Sequence, residues 1–183
     1  MRELSLHLLD IAENSVAAGA RTIRINVRED LAADRLYLAV QDNGKGMDAA
    51  TVARVTDPFV TSRTTRKVGL GLPLLKEAAE LCRGYLRITS EVGQGTLVEV
   101  EFQHSNIDRM PLGDLASTFL TLLISSPEVN WVFHYQVNQQ IFFFDDALVK
   151  EELQGVPMTE PVILGFLHEL LFNGVASVQP VVS

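Results

Sequence analysis

Three short stretches hold the residues best suited to chemistry. In "DNGKGM", residues 42–47, an acid and an amide precede Gly-Lys-Gly where an alternating apolar run stops. A carboxylate at Asp42 can accept a hydrogen bond from a planar donor such as an exocyclic amine, and Gly44 and Gly46 let a flat ring approach the backbone without meeting a Cβ. In "VGLGLP", residues 68–73, the glycines open a helical pattern, so unpaired backbone N–H groups and the helix dipole suit phosphate oxygens. Arg63, Arg66 and Lys67 stand just before it, placed to screen polyphosphate charge or to form a lid. In "LLDIAEN", residues 8–14, Asp10 and Asn14 lie four apart and share a helix face. Asn14 offers an oxygen to Mg²⁺, which takes few protein ligands, and Asp10 can orient or deprotonate an attacking group. Taken singly, each Gly-x-Gly also reads as a turn and the polar helix face as a solvated one. The stretches acquire meaning only if the fold makes them converge.

The elements that must position them follow from periodicity. Residues 2–18 read as a helix with Leu4, Leu8, Ile11, Ala12 and Val16 on one side, and Glu3, His7, Asp10, Glu13 and Asn14 on the other, so His7 is expected in solvent. Residues 21–30 and 35–44 alternate at period two and predict paired antiparallel strands. A short helix is expected at 48–55, then the polar, basic segment 56–68, where Pro58 argues against continuous helix. A second long helix begins at Gly69, with Pro73 tolerated in its first turn, and Gly84 stops it. Strands at 85–92 and 96–104 are joined by "GQG". This order predicts an α+β fold, a two-layer α/β sandwich with helices on one face of a largely antiparallel sheet. Beyond a linker at 104–112 come a helix at 113–125, an aromatic hairpin at 130–146, a short helix near 146–153 and an apolar helix near 159–173. Trp131, Phe133, Tyr135 and the run "IFFFDD" are expected chiefly to pack, and Cys82 to be buried and inert.

Composition bounds the rest. A chain of 183 residues, 47% apolar, holds one sizeable core or two small ones. The single cysteine excludes an internal disulfide framework and a multi-cysteine zinc site. No stretch approaches the roughly 20 apolar residues of a membrane span. The N-terminus lacks a signal-peptide pattern, so a soluble, cytoplasmic protein away from membranes is expected. The net charge of −8 is uneven: residues 104–183 carry 2 basic against 9 acidic side chains. That shift predicts two domains, 1–105 and a small acidic α+β extension at 106–183. It also removes the electrostatic footprint for nucleic acid and favours protein or small-molecule partners.

The ordered motifs resemble those of the GHKL superfamily of ATP-binding domains, shared by gyrase, the large heat-shock chaperones, sensor histidine kinases and MutL. "DIAENSVAAGA" looks like the N box, "DNGKGM" the first glycine box, "DPFVTS" the phenylalanine box, "GLGL" the second glycine box and "GQGT" the third. The resemblance implies a Bergerat-type fold that binds ATP and Mg²⁺. Asp42 would hold the adenine amino group, with Gly44, Gly46 and Met47 beside the ring and Thr96 supporting the same pocket. Asn14 would bind the magnesium ion. Lys67 and the Gly69, Leu70, Gly71, Leu72 box would meet the phosphates, and Phe59 would anchor the lid. Asp10 stands where hydrolytic members carry glutamate, one methylene longer, which leaves hydrolysis open. Among the four histidines only His168, in "FLHELLFNG", has a His-Glu pair, and it lacks the continuation of a phosphoacceptor motif. The resemblance therefore implies phosphotransfer to a separate protein, with the C-terminal part recruiting that partner or holding a homodimer. The alternative is a nucleotide-gated binding switch with slow or no hydrolysis.

Overall fold

The computed structural model describes residues 3–57, 59 and 71–180. The first helix, α1 (Leu4–Ala17), leads into β1 (Thr22–Asp30) and β2 (Arg35–Asp42), an antiparallel pair in which Ile23 faces Asp42 and Asp30 faces Arg35. A short α2 (Ala49–Val55) follows, capped by the Asp48 carboxylate, which accepts from Thr51 N at 2.8 Å. Then come α3 (Gly71–Leu81) and the antiparallel pair β3 (Tyr85–Glu91) and β4 (Gly95–Gln103). The C-terminal part supplies α4 (Leu115–Ser125), β5 (Asn130–Val137), β6 (Gln140–Asp145), α5 (Asp146–Leu153) and α6 (Pro161–Val178).

All six strands form one sheet in the order β3-β4-β2-β1-β5-β6. Period-two alternation gives it one apolar face, with Ile23, Ile25 and Val27 of β1, Leu36, Leu38 and Val40 of β2, and Val98, Val100 and Phe102 of β4 all buried. Leu4, Leu8 and Ile11 of α1, Leu75 and Ala79 of α3, Phe119 and Leu122 of α4, and Leu167 and Leu171 of α6 cover it. The two-layer sandwich is therefore as expected. The C-terminal part is joined more closely than a split at 105/106 implies: β5 lies parallel to β1, from Thr22 beside Asn130 to Glu29 beside Val137, and one hydrophobic core runs through both parts. Charge marks the segment boundary, but backbone pairing carries the sheet across it. Trp131, Phe133 and Tyr135 are core residues, and the Phe119 and Phe133 rings stack with centroids 4.2 Å apart.

This continuity explains two further departures. His7 is buried rather than solvated, because the start of α1 has a second neighbour: Leu4 N donates to Pro111 O at 3.0 Å and Ser5 N to Leu112 O at 2.8 Å, and α4 packs beside them. Burial lowers the His7 pKa below its ordinary 6.5, reinforced by the N-terminal charge and opposed by Asp10. Leu6, not His7, meets solvent. Second, α6 runs five residues past the expected end and, by length and composition alone, matches a membrane-crossing helix, which the sequence reading did not find. In the structure its Leu167, Leu171, Val175 and Val178 stripe packs into the core.

The buried Asp146 carboxylate, with half-buried Lys150 beside it, pins β5 to α5. Asp146, fully buried, accepts Trp131 N at 2.8 Å and Asn130 Nδ2 at 2.6 Å through Oδ1, while Lys150 Nζ stands 2.8 Å from Oδ2 as a charge neighbour rather than a well-directed hydrogen bond. Cys82 is buried, as expected, and burial pushes its thiol pKa up.

Candidate functional site

The end of β2 delivers Asp42 to the helix-covered side of the sheet, and the β2–β4 register sets Thr96 directly beside it. Asp42 is buried and already half-satisfied. Its Oδ1 accepts Gly44 N at 2.8 Å and its Oδ2 accepts the buried Ser15 hydroxyl of α1 at 2.6 Å. A carboxylate has about four acceptor sites, so capacity remains for a donor entering from the cavity. The cavity, about 240 Å³, is lined by Ile11, Asn14, Ser15, Ala17, Ala18, Asp42, Lys45, Gly46, Met47, Val55, Leu72, Ile88, Thr96 and Val98. Asn14, Asp42, Gly46, Met47, Leu72 and Thr96, expected from widely separated motifs, thus meet at one place. The convergence that the isolated stretches lacked is present.

Polar bracing holds the pocket open. Ser90 Oγ accepts Met47 N at 2.8 Å, donates to Gly95 O at 3.0 Å and lies 2.8 Å from Thr96 Oγ1. With the Ser90 proton on Gly95, Thr96 is the donor of that pair, and its lone pairs stay available to the cavity. Asn43 Oδ1 accepts from Arg21 N and Thr22 N at 2.8 and 2.9 Å, tying the same loop to the start of β1.

The glycines also let one loop backbone approach another. A Cβ on Gly46, at φ +68°, would stand 1.9 Å from Glu91 O, and one on Gly95, at φ +117°, 2.0 Å from Asp42 O. The two glycine-bearing loops are therefore pressed together backbone to backbone, which fixes the pocket wall. Gly44 is also tight, with its added Cβ 2.9 Å from Ala18 O.

Other expected residues stand elsewhere. Asp10 is half-buried on α1, one turn before Asn14, and does not line the cavity. Phe59 lies exposed, with its N–H donating to Asp57 Oδ1, and the lid it is expected to anchor lies outside the described residues. Gly71 begins α3. Arg63, Arg66, Lys67, Gly69 and Leu70 lie outside the described residues. Sequence reasoning missed Ser15, Ser90 and the apolar walls Ile11, Ile88 and Val98. Ser15 sits inside the N-box motif beside Asn14, so its position was a signal, but its partner, 27 residues away, shows only in the fold.

The site fits a base-bearing ligand on its own terms: a buried carboxylate with spare acceptor capacity, between aliphatic walls. Among the described residues no three of His, Cys, Asp or Glu cluster to hold a metal. A magnesium ion here would depend on phosphate oxygens with Asn14, the mode in which Mg²⁺ keeps few protein ligands.

A family model described as the histidine kinase-, DNA gyrase B- and HSP90-like ATPase matches residues 2–106. The chain belongs to that family. This ATPase-family chain is 43% identical over 89 residues to the sensor protein kinase FleS of Pseudomonas aeruginosa, covering 49% of the chain and 22% of FleS. It is 28% identical over 108 residues to a putative NtrY-like sensor histidine kinase of Rickettsia conorii, covering 59% of the chain and 18% of that protein. It thus spans about a fifth of the length of these relatives. The Aquifex aeolicus MutL ATPase domain complexed with ADP shares its fold at a TM-score of 0.52 and 15% identity, over 94% of this chain and 70% of that one. At that coverage the likeness of fold extends past residue 106 into the part added to the sheet by β5.

Proposed function

We propose that this chain is a magnesium-dependent, ATP-binding regulatory protein that passes the γ-phosphoryl group of ATP to a separate protein. The observation that carries the nucleotide assignment is the buried Asp42 carboxylate, braced by Ser15 and Gly44, opening between Met47, Ile88 and Val98. Asp42 would accept the adenine amino group, Thr96 would hold the same edge directly or through water, and the aliphatic walls would exclude solvent from the ring. Asn14 would hold the magnesium ion. The bound nucleotide supplies the transferable phosphoryl group. Similarity to sensor kinases supports phosphotransfer, and the ADP of the MutL relative supports an adenine ligand in this fold.

The disposition of the histidines favours an acceptor on another protein. None of the four lines the cavity: His7 is buried on α1, His104 pairs with Glu29 at 2.8 Å, His134 meets Asn26 at 3.2 Å on the opposite sheet face, and His168 stacks on Phe172. Incubation of the full chain with γ-labelled ATP and magnesium, alone and with cell lysate, tests the proposal. Label appearing on a protein is the expected result. Asp10, shorter than glutamate and outside the cavity lining, favours a second reading, a nucleotide-gated switch without rapid hydrolysis. Nucleotide-dependent association with a lysate protein and no label would establish that reading over the first.

A further inference from the structure

We propose that a hollow over Ala39, on the sheet face opposite the helices, is a binding site for a small organic carboxylate with an apolar body. The proposal stands independently of the nucleotide reading. The hollow follows from side-chain size at a fixed register. On that face Ala39 of β2 lies between Asn26 of β1 and Glu99 of β4, with Tyr37 and Gln41 two residues away along its own strand. Each of these neighbours is larger than alanine, so the sheet surface sinks there, and Ala39 is only 6% exposed. The register continues outward: His134 of β5 lies beside Asn26, and Phe143 of β6 beside His134. The resulting cavity holds about 370 Å³, with Leu97, Val132 and Phe143 as its apolar wall and Arg24, Gln41 and His134 as polar lining.

Charge selects the ligand. The carboxylates on this face are already committed: Glu99 accepts the Tyr37 hydroxyl at 2.8 Å and stands 3.4 Å from Arg87 Nε, Glu101 stands 3.6 Å from Arg35 Nε, and Asp145 accepts Asn130 Nδ2 and Ala147 N. Arg24 has no carboxylate or hydrogen-bond partner among the described residues, and Arg28, two residues along β1 on the same face, lies over the Tyr37 ring at 5.0 Å without an ion pair. On a chain of net charge −8 this is a local positive exception. Burial and then the Arg28 charge hold the His134 pKa below its ordinary 6.5, so the ring is neutral near pH 7, with Nδ1 3.2 Å from Asn26 Oδ1. The Asn26 and Gln41 amide N–H groups have no partner among the described residues, and they join the Arg24 guanidinium as donors around the Ala39 floor. A planar, two-oxygen anion matches the guanidinium fork with two parallel hydrogen bonds. Its apolar body then covers Ala39, Leu97 and Val132 against the Phe143 ring. Inorganic phosphate would satisfy the charge and leave that apolar wall in water.

Calorimetry and amide NMR spectra of the full chain titrated with benzoate, phenylacetate and hexanoate test this, with inorganic phosphate and a short polyglutamate peptide as comparison ligands. Saturable one-to-one binding of a carboxylate, tighter than phosphate, is expected, with shifts clustered at Asn26, Ala39 and His134. Arg24→Gln should weaken that binding about tenfold or more, and Ala39→Leu, which fills the hollow, should abolish it. ATP affinity should be unchanged in both variants, because neither residue lines the cavity around Asp42. Failure of all three carboxylates to saturate, shifts centred elsewhere, or binding that survives both substitutions would each overturn the proposal. Phosphate bound as tightly as the carboxylates would show a bare anion patch, and preferential capture of polyglutamate would show a protein-docking face; either result also overturns it. The shift mapping uses the unaltered chain and stands even if a substitution impairs folding. Loss of ATP binding by the unaltered chain would count against the Asp42 assignment alone.

Discussion

Asp42 is committed twice before any ligand arrives, and that determines what its replacement should do. In Asp42→Asn the amide nitrogen or oxygen must face the Gly44 N–H and the Ser15 hydroxyl, and the charged acceptor offered to the cavity is gone. ATP affinity should fall by about 100-fold or more, on the order of 3 kcal/mol, with the thermal transition preserved. Unchanged affinity by calorimetry would sink the assignment. Ser15→Ala should weaken binding by about tenfold, because the carboxylate loses a 2.6 Å donor and its fixed orientation. The glycines separate packing from turn freedom: Gly46→Ala drives a Cβ into Glu91 O, whereas Gly93 has open space around its Cβ position and only its positive φ to lose. Gly93→Ala should cost about 1–2 kcal/mol in urea denaturation and Gly46→Ala markedly more. At this scale the acid, the amide and the glycine spacing were legible because they sit in contiguous motifs. Ser90 was not, since its partners are Met47 in a distant loop and Gly95 and Thr96 at the start of the next strand, and a lone serine in a strand carries no signal.

Elements were legible wherever one face of a helix or strand was buried, because a single period then records a single neighbour. β1, β2, β3 and β4 fall within a residue or two of their expected limits for that reason. α1 was misread on one side: its start is sandwiched between sheet and α4, so His7 is buried in a position that periodicity assigns to water. A testable pH dependence results. The folded pKa of His7 lies below the unfolded 6.5, so the unfolded chain binds more protons as the solution acidifies. The stability associated with neutral His7 is fully present above pH 6.5 and is lost as pH falls toward the folded pKa. His134, also lowered by burial and by Arg28, contributes in the same direction. Urea denaturation between neutral pH and about pH 5 should show His7→Gln with a flatter profile than the wild type, and an unchanged slope would refute the assignment. At the β5–α5 junction, Lys150→Met leaves the fully buried Asp146 without its cation. It should destabilise the fold by about 3 kcal/mol, visible as a lower urea midpoint at unchanged slope.

For the molecule as a whole, the jump in charge after residue 103 marks a segment, and the family match ends close to it, at residue 106. Backbone pairing between β1 and β5 was not legible, because parallel partners are brought together by a crossover and share no local pattern. A fragment of residues 1–105 should therefore lack a cooperative thermal transition and resist proteolysis poorly, since it loses the β5 partner of β1 and the α4 cover of α1. A fragment that melts cooperatively and binds ATP as tightly as the full chain would show that the added strands are dispensable. The pairing also has a consequence in time. The residues lining the proposed nucleotide cavity, from Ile11 to Val98, are all synthesised before β5 appears. At roughly 5–20 residues per second, β1 waits on the order of ten seconds between its own synthesis and that of its parallel partner. During that interval the nascent chain has most of a binding site and an open strand edge, and a high-contact-order step separates it from its finished sheet.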